Sequence, residues 1–367
     1  MSQKILILVA VFAFSSLTTA QPFSTLIFAN YDQFPNSLKG KDFFIKKNIN
    51  PYAFKSQKIS NEPSLSCRDQ IKKVICLVEP NQPGQDPQRR PCLDGGLSYA
   101  TYFEDLYDHY SPPLQKMFCS INHIFIEKKF FGTAYAAPLI GLNGEMTGVM
   151  LGIRQSILDQ NLSLSTWASW KEQLSFGGRS DSYTVQDNLP KIQTSSSSQS
   201  NELVYFVISH ELGHIFDFAN HVNQTQKCRP NGTSSESEEC DLAPNSWGAI
   251  SWQTTLKPKP EYEFNNRSGL CFYDCQTLSL GPDDVPHIYA DLSQTNFIST
   301  YATTQPWDDF ADSFAYYLMT KNLNLSYIIS TQQGYSYDII QKLKSPIFVE
   351  KYGFIENFLN RSDLFYP

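Results

Sequence analysis

The sequence predicts a disulfide-stabilised α+β domain built around a buried polar helix, and three observations carry that prediction. Helix-like and strand-like segments follow one another between residues 99 and 158, and the chain reads as mostly helical beyond residue 200. All eight cysteines lie after the first twenty residues, and an even count in an exported chain reads as a disulfide framework. The stretch "ISHELGHIFDF", Ile208 to Phe218, sits within a run that is otherwise apolar nearly all round, which marks an interior helix.

Taken in order, the chain begins with Lys4, an unbroken apolar run from Ile5 to Phe14, and small residues ending in "LTTA" at Ala20. This pattern predicts a secretory signal peptide over residues 1–20, with Gln21 as the mature N-terminus. The apolar run is about half of what a bilayer span needs, and no later run comes close to that length. The expectation is therefore a secreted or periplasmic protein with no stable membrane span after signal removal. At 367 residues, 41% hydrophobic and 18% charged, the chain is globular and long enough for one large domain or two smaller ones. Loss of Lys4 moves the net charge from −7 to −8, and with no basic stripe a nucleic-acid partner is not expected.

Residues 21–78 show no clear periodicity and are followed by "EPNQPGQDPQRRPCLDGG", Glu79 to Gly96, with prolines at 80, 83, 87 and 91. So many prolines exclude a helix or central strand and make this the best boundary. Residues 21–95 then form a pro-region, an accessory module or an elaboration of the main domain, which spans 96–367. "YATYFEDLYDHY", from Tyr99, has helical spacing up to Ser111-Pro112-Pro113. Residues 123–139 read as extended, and 144–158 as a further strand between glycines. Within the latter, "TGVMLGI" suits either a sheet-core strand or an edge open to a substrate backbone. A polar run, 194–201, leads to a helix over Glu202 to Asn220, with Ser200 or Asn201 as N-cap and Glu202 in its first turn. Short loops suggest disulfides Cys67 with Cys76, Cys228 with Cys240 and Cys271 with Cys275, leaving Cys92 with Cys119.

His210 and His214 stand four apart, so both rings share one helix face, with Glu211 on its flank. This H-E-x-x-H spacing suits two imidazoles on one zinc and a carboxylate that takes a proton from water. A catalytic metal needs a third protein ligand. The extended motif would place glycine at 217 and histidine at 220, where this chain has Asp217 and Asn220. No glutamate occurs between Glu263 and Glu350, so an acidic ligand in that interval is an aspartate. In "STYATTQPWDDFADSFAYYLM", from Ser299, a helix starts near Pro306, and Asp308 and Asp312 share one face while Asp309 points elsewhere. One carboxylate can bind the metal while the other orients a ligand histidine.

These two segments resemble the zinc metallopeptidases related to the catalytic domain of anthrax lethal factor, within the gluzincins. Members pair a helical H-E-x-x-H with a later E-x-F-A-E-x-F helix and a tyrosine seven residues before it. Here the later helix reads Asp308-Asp309-Phe310-Ala311-Asp312-Ser313-Phe314, and Tyr301 is the tyrosine. The resemblance implies a zincin-like fold with a small sheet, with His210, His214 and Asp308 holding Zn2+. It implies Glu211 as general base, Tyr301 as hydrogen-bond donor to the oxyanion, and Asp312 behind a ligand. Asp217 joins Asp312 as a candidate supporting acceptor, or closes the helix end. Both family glutamates are aspartates here, so the later helix must come roughly an ångström closer to the metal to make a bond of about 2.0 to 2.2 Å. The implied activity is hydrolysis of a protein or peptide substrate by a monomer. A zinc amidase and an inactive binding or adhesion protein are the alternatives.

Overall fold

Ser66 opens the first helix because its side-chain oxygen accepts the Asp69 backbone N–H at 3.3 Å. The computed structural model describes residues 66–79, 92–130, 132–140, 146–159, 162–178, 183–195, 201–230, 238–272, 279–332 and 334–367. The expected signal peptide, Ser200 and most of 21–95 lie outside them. Helix α1, Cys67–Val74, runs into strand β1, Ile75–Val78. Helix α2, Ala100–His109, ends before the prolines, which begin a new helix rather than a loop. In α3, Pro112–Cys119, both prolines occupy first-turn positions where a missing N–H costs nothing.

The extended stretch expected over 123–139 is two strands, β2, Ile121–Glu127, and β3, Ala134–Ile140. With β4, Met146–Arg154, they build a four-stranded sheet in the order β1-β2-β4-β3. The β1/β2 and β2/β4 pairs are parallel, and β3 runs antiparallel to β4. β4 is therefore an inner strand bonded on both sides, so residues 147–153 form a sheet-core strand and not the open edge that was the alternative. β1 and β3 hold the outer positions, and β3 packs on the motif helix. β1, from the segment before the proline-rich stretch, is an integral strand of this sheet.

Helix α4, Leu164–Gln173, is capped by Ser163, whose side chain accepts the Thr166 N–H at 3.1 Å. It packs against strand β5, Lys191–Ser195. The motif helix α5 spans Glu202–Asn220, as its sequence pattern predicts. Asn201 before it and His221 after it are both left-handed, at φ 65° and 54°. Strands β6, Thr225–Pro230, and β7, Glu238–Leu242, form a hairpin. Helix α6, Val285–Ser293, precedes α7, Pro306–Leu323, which begins on Pro306 after the extended Gln305. Strands β8, Ser326–Ser330, and β9, Ser336–Asp338, join β5 in a three-stranded antiparallel sheet, and α8, Val349–Leu359, packs against α7.

Disulfides join Cys67 to Cys119, Cys76 to Cys92 and Cys228 to Cys240. Only the last is a local pairing the sequence suggested. Cys67 cannot reach Cys76 because α1 lies between them: eight helical residues span about 12 Å, whereas a disulfide tolerates a Cα separation of at most about 7 Å. Cys67 meets Cys119 at the end of α3 instead, with Cα atoms 5.7 Å apart. Cys271 is also disulfide-bonded, and its expected partner Cys275 lies outside the described residues.

Candidate metal centre

Helices α5 and α7 pack against each other and come close at Gly213. A Cβ there would stand 2.8 Å from Ala311 Cα, so only glycine permits this spacing. The approach brings Asp308, on the first turn of α7, level with the two histidines of α5.

His210 Nε2 and His214 Nε2 are 3.1 Å apart, and His214 Nε2 is 3.5 Å from Asp308 Oδ1. Three ligand atoms, one each from His210, His214 and Asp308, lie within 4.8 Å of one another, the one such group among the described residues. Two zinc bonds of about 2.0 to 2.1 Å at a tetrahedral angle separate their ligand atoms by about 3.3 Å, so the two close contacts bracket the required value. The carboxylate also fits in its bonding. Asp308 Oδ2 accepts Thr304 Oγ1 at 3.0 Å and Gln305 Nε2 at 2.9 Å, while Oδ1, facing the imidazoles, has no hydrogen bond. Burial lifts the Asp308 pKa, against the charge of His210 and the Gln305 and Thr304 hydrogen bonds, and burial with the charges of His210 and Lys171 drives that of His214 far down. A cation at their meeting point reverses the first effect and uses the neutral imidazole that the second provides.

Behind His210, Nδ1 stands 2.8 Å from Asp312 Oδ1 in a bent contact. Burial depresses the imidazole, but the adjacent Asp312 carboxylate outweighs it and leaves the His210 pKa above its ordinary value. The nearby carboxylate favours the ring proton on Nδ1, the arrangement that leaves Nε2 for a metal. Ser299 Oγ donates to Asp312 Oδ2 and accepts the Ala302 N–H at 2.9 Å, so the turn carrying Tyr301 is tied to the same carboxylate. The Tyr301 ring lies 5.8 Å from the His210 ring, edge-on to Phe272 at 5.0 Å.

Glu211 is buried, and its Oε2 has no hydrogen bond. Burial raises its carboxyl from 4.5 to about 7, partly offset by His210, near the value that suits a base at neutral pH. The structure therefore gathers His210, Glu211, His214, Tyr301, Asp308 and Asp312 in one place. Asp217 goes elsewhere: its two oxygens accept the Asn223 backbone N–H and side-chain amide, each at 2.7 Å, closing the helix end.

Sequence reasoning missed Lys171, on α4. Its Nζ lies 3.5 Å from the centre of the Tyr301 ring and 5.3 Å from that of Trp167, a cation over an aromatic face. Its charge acts on His210, Glu211, His214 and Asp312 alike. No motif or periodicity links residue 171 to the later helices. Ser299, Thr304 and Gln305 were within reach, since they flank Tyr301 and Asp308 in sequence.

Comparison with known proteins adds one match. A family model described as "Putative zinc-binding metallo-peptidase" matches residues 287–362, well under half of the chain. The matched stretch holds Tyr301, Asp308 and Asp312 and excludes the α5 motif. No curated protein and no solved structure gives a significant match.

Proposed function

We propose that this chain is an exported zinc-dependent metalloendopeptidase. The observation that carries the proposal is the convergence of His210, His214 and Asp308 beside a buried, unbonded Glu211 carboxylate oxygen. The metallopeptidase family match to the segment supplying Asp308 supports it from an independent direction. The three disulfides suit an oxidising compartment. Among the described residues no helix is long and apolar enough to cross a membrane.

His210, His214 and Asp308 would hold the ion. Zinc, when bound, supplies Lewis acidity toward a scissile carbonyl and lowers the pKa of water. Glu211 accepts the proton of the attacking water and delivers it to the departing amine. Tyr301 donates to the oxygen on which negative charge develops, its ring held between Lys171 and Phe272. Asp312 keeps the His210 ring oriented. The spacing of these groups supports placing the protein near the lethal-factor relatives, with aspartate in both acidic positions. A monomer acting on peptides is the form we propose.

Glu211→Gln tests the assignment, because glutamine keeps the shape and removes the base. Zinc content should stay at the parent value while turnover of a peptide library falls about 10²- to 10⁴-fold. Undiminished turnover in that variant would remove Glu211 from the mechanism.

A further inference from the structure

The second carboxylate of the Asp308-Asp309 pair faces away from the histidines and is completely buried, as is Lys351 on α8. Lys351 Nζ reaches both Asp309 oxygens, at 2.7 and 2.6 Å, and Trp252 Nε1 donates to Oδ2 at 3.1 Å. Aromatic rings enclose the ammonium, with Phe297 at 4.8 Å and Trp247 at 5.1 Å. A buried pair of this kind is a poor source of net stability, since packed apolar groups of the same volume serve as well or better. What it supplies is geometry: two charges and an indole N–H have one arrangement that satisfies all of them.

That arrangement lies one residue from Asp308. It ties the first turn of α7 to α8 and to the segment following β7, two parts of the fold that carry none of the three ligands. Asp308 is short, and Thr304 and Gln305 hold its outer oxygen from the turn immediately before the helix. A slight tilt of this turn therefore moves Oδ1 directly, and a constellation of this type works only when held to within about 0.5 Å.

We propose that Asp309, Lys351 and Trp252 are positioning residues, a buried clamp that sets α7 at the depth where the Asp308 carboxylate meets His210 and His214. The inference rests on the metal-site reading above and adds residues to it that touch neither metal nor substrate.

The test is zinc affinity of the full mature chain, by competition with a chromophoric chelator, with the visible spectrum of the cobalt-loaded protein as a second readout. The double variant Asp309→Asn with Lys351→Met removes both charges together, and Trp252→Phe removes only the indole N–H. Ile71→Ala, in α1, serves as a destabilised control that should melt earlier and bind zinc as the parent does. The double variant should fold, bind zinc about 10- to 100-fold more weakly and lose intensity in the tetrahedral cobalt bands, with Trp252→Phe shifted less in the same direction. Parent-like zinc affinity and cobalt spectra in both variants, whatever their melting temperatures, would overturn the clamp. If the double variant does not fold, Trp252→Phe decides by the same criterion. A parent that binds no zinc would bring down the metal-site reading itself, and the clamp with it.

Discussion

The four-stranded sheet and the α5/α7 pair are both buried, and they bury different things. In the sheet the interior is Ile75, Leu77, Ile124, Ile126, Leu151 and Ile153, and Glu127 meets the Tyr135 hydroxyl at 2.8 Å. Between the helices it is His210, Glu211, His214, Asp308 and Asp312, all within the interior and several with an oxygen or nitrogen that no hydrogen bond satisfies. The first arrangement follows from the hydrophobic effect alone. The second opposes it, since burying ionisable groups is costly where an oxygen or nitrogen stays without a hydrogen bond, and a bound cation would offset that cost. The sheet buries apolar groups that favour folding, whereas the helix pair buries ionisable ones that oppose it.

The widest separation between the two regions should appear in the pH dependence of the metal-free protein. Glu211 has a folded pKa of about 7 against an ordinary 4.5. A folded value above the unfolded one means that its favourable contribution is complete below about 4.5 and is lost as pH rises through about 7. Glu211→Gln lacks this loss, so the variant should gain on the parent across that window, by up to about 3 kcal/mol. Urea melts of both at pH 5 and pH 8 measure the gain. Zinc should shrink the difference by favouring the ionised carboxylate. A constant difference across pH would mean that Glu211 is not held neutral.

Two glycines, one in each region, respond differently to an added methyl group. At Gly213 the atom in the way is backbone, Ala311 Cα, so alanine there pushes the helices apart. We expect about 1–3 kcal/mol of destabilisation together with a zinc affinity at least tenfold lower. At Gly152, in β4, a Cβ would meet the Tyr135 ring at 2.1 Å. Alanine there should cost a similar stability, by displacing the ring from Glu127, and leave zinc affinity alone. Chelator competition and thermal melts on the two variants separate the regions. Equal effects on zinc would show that the site responds to global stability rather than to helix spacing.

The smallest effect concerns orientation only. Asp312→Asn keeps the size of the side chain behind His210 and removes its charge. Zinc should bind about tenfold more weakly, with little change in folding stability, and calorimetric titration reads the difference. Unchanged affinity would mean that the bent 2.8 Å contact does not steer the ring.

The helix pair was more legible in the sequence than the sheet, for a physical reason. A helix places residues i and i+4 on one face whatever surrounds it, so the shared face of His210 and His214 and that of Asp308 and Asp312 followed from local spacing. The extent of α5 followed equally from its apolar run and its polar flanks. Strand order has no such local rule: "TGVMLGI" reads the same at an edge or in the middle, and only pairing to both β2 and β3 decides. Cys67 and Cys119 are likewise brought together by the packing of α1 and α3, over a separation of 52 residues. Lys171 and Lys351 reach their places from α4 and α8, helices whose positions no local pattern announces.

A metal held by residues of both helices is the central proposal, and the decisive measurement is zinc per chain by elemental analysis of the protein and of Asp308→Ala. One zinc in the parent and none in the variant is the predicted result. Zinc absent from both after incubation with the metal, or fully retained by Asp308→Ala, would contradict it.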